Sequence, residues 1–220
     1  MKLILYKTIT LLLISGAFAT AQSRFSVSAM LAPAYSHNHT RLNLLIPDGM
    51  GQTTNVQVSS NTSSVGYLAG AMFQYGFSDQ WSISAGFWYN RVGTDGTFPF
   101  TLNPVPVRII NQDLQIPVLL NYRLTTKRLS PYFSVGSLAN FRQKTIYRDE
   151  SNTGEGNARV LFKDPVNYRA VVGVGVSYRV NQQWTLLFQP QLVWRFRPEG
   201  DFEAFTVYQL NGSFQLMYTF

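Results

Sequence analysis

The chain has 220 residues, with 45% hydrophobic, 15% aromatic and only 13% charged side chains, and a formal net charge of +7. It has no cysteine, which excludes disulfides and every Cys-based metal or redox motif. The arginines stand singly along the chain rather than in a patch, which excludes a nucleic-acid surface.

Residues 1–21 have the order of a secretory signal peptide. Lys2 and Lys7 precede an apolar stretch from Thr8 to Phe18, and small residues follow at 19–21. Cleavage after Ala21 leaves a single expected domain over 22–220 with a charge of +5. No later apolar run is long enough for a membrane-spanning helix, which needs about 20 residues. An exported chain poor in charge and rich in Tyr and Phe, without such a helix, fits a membrane only as a closed β-barrel.

Eight segments alternate apolar and polar or small residues with a period of two. The first, from Arg24 to about Ser36, puts Phe25, Val27, Ala29, Leu31 and Tyr35 on one face. The second, SVGYLAGAMFQYGF, and the third, WSISAGFWYN, follow with only SDQ (78–80) between them. In the third, Trp81, Ile83, Ala85, Phe87 and Tyr89 oppose Ser82, Ser84, Gly86, Trp88 and Asn90. The fourth contains LQIPVLLNYRL (114–124), whose Pro117 falls on the polar face and predicts a local bulge. The fifth, PYFSVGSLANFRQK, comes after a short basic turn. The sixth, NYRAVVGVGVSYRV, alternates most regularly and is joined through NQQ (181–183) to the seventh, WTLLFQPQLVWRFR. The eighth ends the chain, with Phe214, Leu216, Tyr218 and Phe220 on its apolar face.

The connections alternate in length. Three are short, whereas 37–62, 94–106, 148–165 and 198–203 are long. Aromatic residues cluster at both ends of the segments, beside the short turns and near the long loops. Both features predict an eight-stranded antiparallel barrel in a bacterial outer membrane, with short periplasmic turns, longer extracellular loops and two aromatic belts. The apolar faces then meet lipid, and both termini are periplasmic. With the eighth segment ending on Phe220, no further domain is expected.

DLQIPVLLNYRL, the basic turn, PYFSVGS, the later GVGVSYRV and the terminal aromatic resemble the outer-membrane β-barrel domain family that includes PorT-like proteins. The resemblance implies a small barrel with no established enzyme chemistry and few known functions, and it supplies no catalytic residue.

Two sets of residues are candidates for function. Arg142, Lys144, Arg169, Arg195 and Arg197 all count as inward near the extracellular end. They would form either a basic vestibule or a set of charges neutralised by Asp113 and loop carboxylates. Phe214, Leu216, Tyr218 and Phe220 form a terminal signal that barrel assembly machinery would read. HNH (37–39) has two imidazoles but no third ligand, which predicts a polar loop start. The expected role is an integral membrane scaffold displaying loops, with outer-membrane lipid as its surroundings, no catalysis and an extracellular partner that the sequence does not identify. A narrow channel for small anions is the alternative.

Overall fold

The computed structural model describes residues 25–47, 53–98, 105–149, 158–161, 166–197 and 202–220. Residues 1–21, the expected signal peptide, lie outside them. Eight long strands form the wall: β1 (Phe25–Pro47), β2 (Thr53–Gly76), β3 (Trp81–Phe98), β4 (Val105–Arg123), β5 (Leu129–Asp149), β7 (Asn167–Arg179), β8 (Trp184–Arg195) and β9 (Phe202–Thr219). A short ninth strand, β6 (Ala158–Leu161), pairs with the far end of β5. All pairings are antiparallel. β1 joins β9, β4 joins β5, and the ring is closed.

Following the register from Ser26 through Gln74, Ser84, Leu119, Gly136, Val171, Val193 and Gln209 returns to β1 at Ser36. The sheet therefore closes on itself displaced by ten residues, and that stagger tilts the strands and sets the bore. With eight strands the bore is narrow enough for side chains to fill.

Local sequence accounts for the short turns. Ser78 Oγ accepts the amides of Gln80 (3.3 Å) and Trp81 (3.0 Å). Asn181 Oδ1 does the same for Gln183 (2.9 Å) and Trp184 (2.7 Å). In both, a short polar side chain replaces a turn's missing backbone partner, and tryptophan starts the next strand. Trp81 packs tilted against Tyr122 at 4.7 Å and Trp184 meets Tyr218 edge-on at 5.0 Å, giving one aromatic belt.

Three expectations change. The 37–62 segment is largely strand, since β1 and β2 pair rung by rung from Phe25↔Tyr75 to Pro47↔Thr53. β3 and β4 likewise pair out to Phe98↔Val105. The wall therefore continues as tall hairpins where polar sequence read as loop. The predicted bulge at Pro117 is absent: Pro117 is buried and pairs with Leu138 without a register shift. The missing donor falls on the β3 side, where the ladder lapses for two rungs and resumes in the same register. The bulge of β4–β5 lies further up, where the partner of Gln112 is Lys144 and that of Asp113 is Arg142, leaving Gln143 as the extra residue.

Candidate functional site

The lumen carries all the inward-facing candidates. It has three tiers, and the middle one is apolar. Met30, Ala32, Leu68, Met72, Trp88, Leu119, Leu138, Val171 and Val193 form a single buried cluster inside the wall. Trp88 is fully buried, and its indole Nε1 donates to Met72 Sδ at 3.0 Å. Gly70 makes this possible, because a Cβ there would meet Trp88 Cδ1 at 2.8 Å and the Phe87 carbonyl more closely still. The alternation that puts Ser82, Ser84 and Asn90 inside puts Trp88 there too, so the sequence placed it inside the barrel. The cluster it joins is not legible in the sequence, because one aromatic on a polar face does not show what lies across the bore.

Around this plug runs a chain of buried hydrogen bonds. Asn121 Nδ2 donates to Ser84 Oγ (2.9 Å), and Ser134 Oγ donates to Asn121 Oδ1 (2.8 Å). Gln189 Nε2 reaches Ser134 Oγ (2.8 Å), and Gln191 Nε2 donates to Gln189 Oε1 (3.1 Å). The link from β8 to β5 crosses β7 over Gly173, where a Cβ would meet Gln189 Cδ and Nε2 at 2.8 Å. The glycines of GVGVSYRV are thus spaces for a glutamine of the neighbouring strand. Polar groups so deeply buried are tolerable only when paired.

The upper tier holds the charges. Asp113 is 4% exposed and Arg169 8%. Arg142 Nε lies 3.8 Å from Asp113 Oδ1. Arg169 and Arg142 are the cations facing the Asp113 carboxylate. Arg169 Nε also donates to Asn167 Oδ1 at 3.0 Å. On the next strand Arg195 pairs in register with Arg169, and its guanidinium carbon lies 5.7 Å from the Phe205 ring centroid.

The five-residue basic cluster therefore divides. Arg142, Arg169 and Arg195 do come together. Arg197 is exposed beyond the end of β8. Lys144 leaves the inward row, because the extra residue Gln143 reverses the alternation and Thr145 becomes the buried side chain, donating to Asn111 Oδ1 at 2.8 Å. Of the expected neutralising carboxylates, Asp113 is in place. Glu150, Glu199 and Asp201 lie outside the described residues, as do the side chains of Asp149 and Glu203.

At the closing seam, Phe214, Leu216 and Phe220 are exposed on the outer face. Tyr218 lies between Trp184 and Phe220, the latter edge-on at 5.2 Å. The Phe220 amide donates to the Phe25 carbonyl at 3.1 Å, so the last residue is bonded to the first strand. His37 Nδ1 contacts Ser63 Oγ at 3.1 Å, and its ring packs on Tyr208. Among the described residues no three His, Asp or Glu side chains gather as a metal site.

A closed antiparallel wall with an apolar exterior, an aromatic belt beside the short turns, exposed Tyr35, Tyr67, Tyr89, Tyr168 and Trp194 toward the other end, and a side-chain-filled bore defines an integral outer-membrane β-barrel. A family model described as outer membrane protein beta-barrel domain matches residues 20–194. The chain belongs to that family, and its location is the bacterial outer membrane. Among curated protein sequences none matches. Solved structures of similar fold include Neisserial surface protein A, at 14% identity and a TM-score of 0.45, covering 89% of this chain and 97% of that one. The attachment invasion locus protein Ail of Yersinia pestis shares 12% identity with a TM-score of 0.41, covering 90% and 99%. OprG of Pseudomonas aeruginosa shares 13% with a TM-score of 0.37, covering 90% and 95%. These are likenesses of fold, and they say nothing of activity.

Proposed function

We propose that this barrel is a non-catalytic membrane scaffold that holds tall hairpins above the extracellular surface. The plug around Trp88 carries the reading. A pore needs a continuous wet path, and here close-packed hydrocarbon and indole occupy mid-lumen, where water has few polar partners. Two of the three upper arginines, Arg142 and Arg169, face Asp113 instead of lining an open vestibule, which weighs against the anion-channel alternative. Against an enzyme stands the exposure of the Ser63–His37 hydrogen bond, whose serine oxygen is shared with the Tyr35 hydroxyl at 3.1 Å. No carboxylate orients that imidazole among the described residues. Lipid and the barrel assembly machinery are the partners that this reading requires.

Planar-bilayer recording of the refolded protein tests it. The parent should show no conductance steps, whereas Trp88→Ala, which removes the largest plug residue, should admit small ions. Steady conductance in the parent would replace the scaffold by the channel.

A further inference from the structure

Below the plug, at the periplasmic mouth, the lumen widens into a polar chamber of about 410 Å³. Two guanidinium groups share it, Arg123 from the end of β4 and Arg179 from the end of β7. Arg123 Nη2 donates to the Asp79 backbone carbonyl at 2.9 Å and so also braces the β2–β3 turn. Arg179 has no side-chain hydrogen bond and no ion pair among the described residues, and its charge bears directly on Arg123. Asp79 is the one carboxylate of the chamber wall. It is exposed, and it attracts Arg123 through space without forming an ion pair.

The rest of the wall is mainly neutral and polar. It includes the buried Tyr132, whose hydroxyl donates to Gln74 Oε1 at 3.2 Å. Two partly buried like charges repel each other, and separation from bulk water strengthens that repulsion. An anion between them would reverse its sign. Guanidinium forks match the paired oxygens of phosphate and carboxylate, and serine and threonine hydroxyls can complete the set. Because the plug closes the lumen above, such a ligand can enter only from the periplasm.

We infer that this chamber binds a compact oxyanion of the phosphate or carboxylate class from periplasmic solution. Binding itself is separate from the scaffold reading, since a conducting or non-conducting barrel could hold the anion, whereas entry from the periplasm alone rests on the same plug. Calorimetric titration of the full-length folded protein in detergent, with inorganic phosphate in one arm and acetate in the other, tests it and identifies which oxyanion is preferred.

Saturable binding of one of them is expected. Arg179→Gln should weaken it about tenfold, the loss of one charge-assisted contact. Arg179→Lys, which keeps the charge but not the fork, should fall between the two. Arg142→Gln, above the plug, should bind as the parent does. Heat-dependent gel mobility verifies that each variant is folded, and the lysine variant decides the matter if the glutamine variant is not. No saturable binding of either anion would overturn the inference, as would parental affinity in both Arg179 variants. An equal loss in Arg142→Gln would also overturn it, by placing the anion on the Asp113 side.

Discussion

Asp113 is the single buried carboxylate among the described residues, and two arginines depend on it. An ion group in a narrow bore gains little net stability from its own attraction, because desolvation costs about as much as pairing returns. Removing one member is different, since the remaining charge stays buried without compensation. Asp113→Asn keeps the shape but leaves Arg169 facing an amide, and it should destabilise the barrel by about 3 kcal/mol. Adding Arg169→Gln to that variant should recover part of the loss, so the double variant will fall short of the sum of the singles. Urea titration of the four proteins in detergent or lipid measures the cycle. Additive losses would mean that the two side chains do not share a site.

Strands were the most legible level of this molecule, because a closed wall with lipid outside and a filled bore inside imposes a period of two on the chain. Val172, Val174 and Val176 read as one face and are all half or nearly half exposed on the outer surface. Arginine at Val174 should therefore cost about 2 to 4 kcal/mol in lipid, by equilibrium unfolding, as expected for a cation near mid-bilayer. At Gly175, on the inward row, even alanine should disturb the fold for another reason, since its Cβ would meet Gln189 Cα at 2.7 Å and the Phe188 carbonyl more closely.

The seam gives a second test of the element. Deleting Phe220 removes the hydrogen bond from its amide to the Phe25 carbonyl and the ring that packs on Tyr218 and Phe25. Folded, heat-modifiable protein in the outer membrane should fall well below the parent level, whereas changes at 42–47 should have little effect.

Alternation also marks where sequence reading failed. A bulge adds one residue without any change of composition, so Gln143 reverses the faces unannounced and a plain count of alternation puts Lys144 inward. Polar residues at 37–62 read as loop, yet a hairpin above the membrane has water on its surface and needs no apolar face. The basic vestibule of four arginines and Lys144 was only partly legible for the same reasons. The plug and the periplasmic chamber depend on which inward residues meet across the bore, and register and stagger decide that.

At the scale of the molecule, ring closure leaves no lipid-facing edge of unpaired backbone, which a membrane would not tolerate. The +7 charge has no single locus. Some of it faces Asp113, some lies at the periplasmic mouth, and more stands at exposed positions such as Arg148 and Arg197.

The origin of the plug bears on how the barrel forms. Its nine residues come from β1, β2, β3, β4, β5, β7 and β8, and β9 lines the same depth with the fully buried Ser213. No hairpin holds enough of them to pack alone, and most of their contacts join parts of the chain distant in sequence. Such contacts form slowly, since loop closure must come before any gain from packing. Strand insertion, meeting of the first and last strands and consolidation of the interior should therefore occur as one event, with no stable half-barrel preceding it. Intrinsic tryptophan emission, which reports both the buried Trp88 and the outward-facing Trp81, Trp184 and Trp194, and far-ultraviolet dichroism should then follow a single unfolding transition with one rate constant. Two separated phases would mean that the wall can stand without its filling.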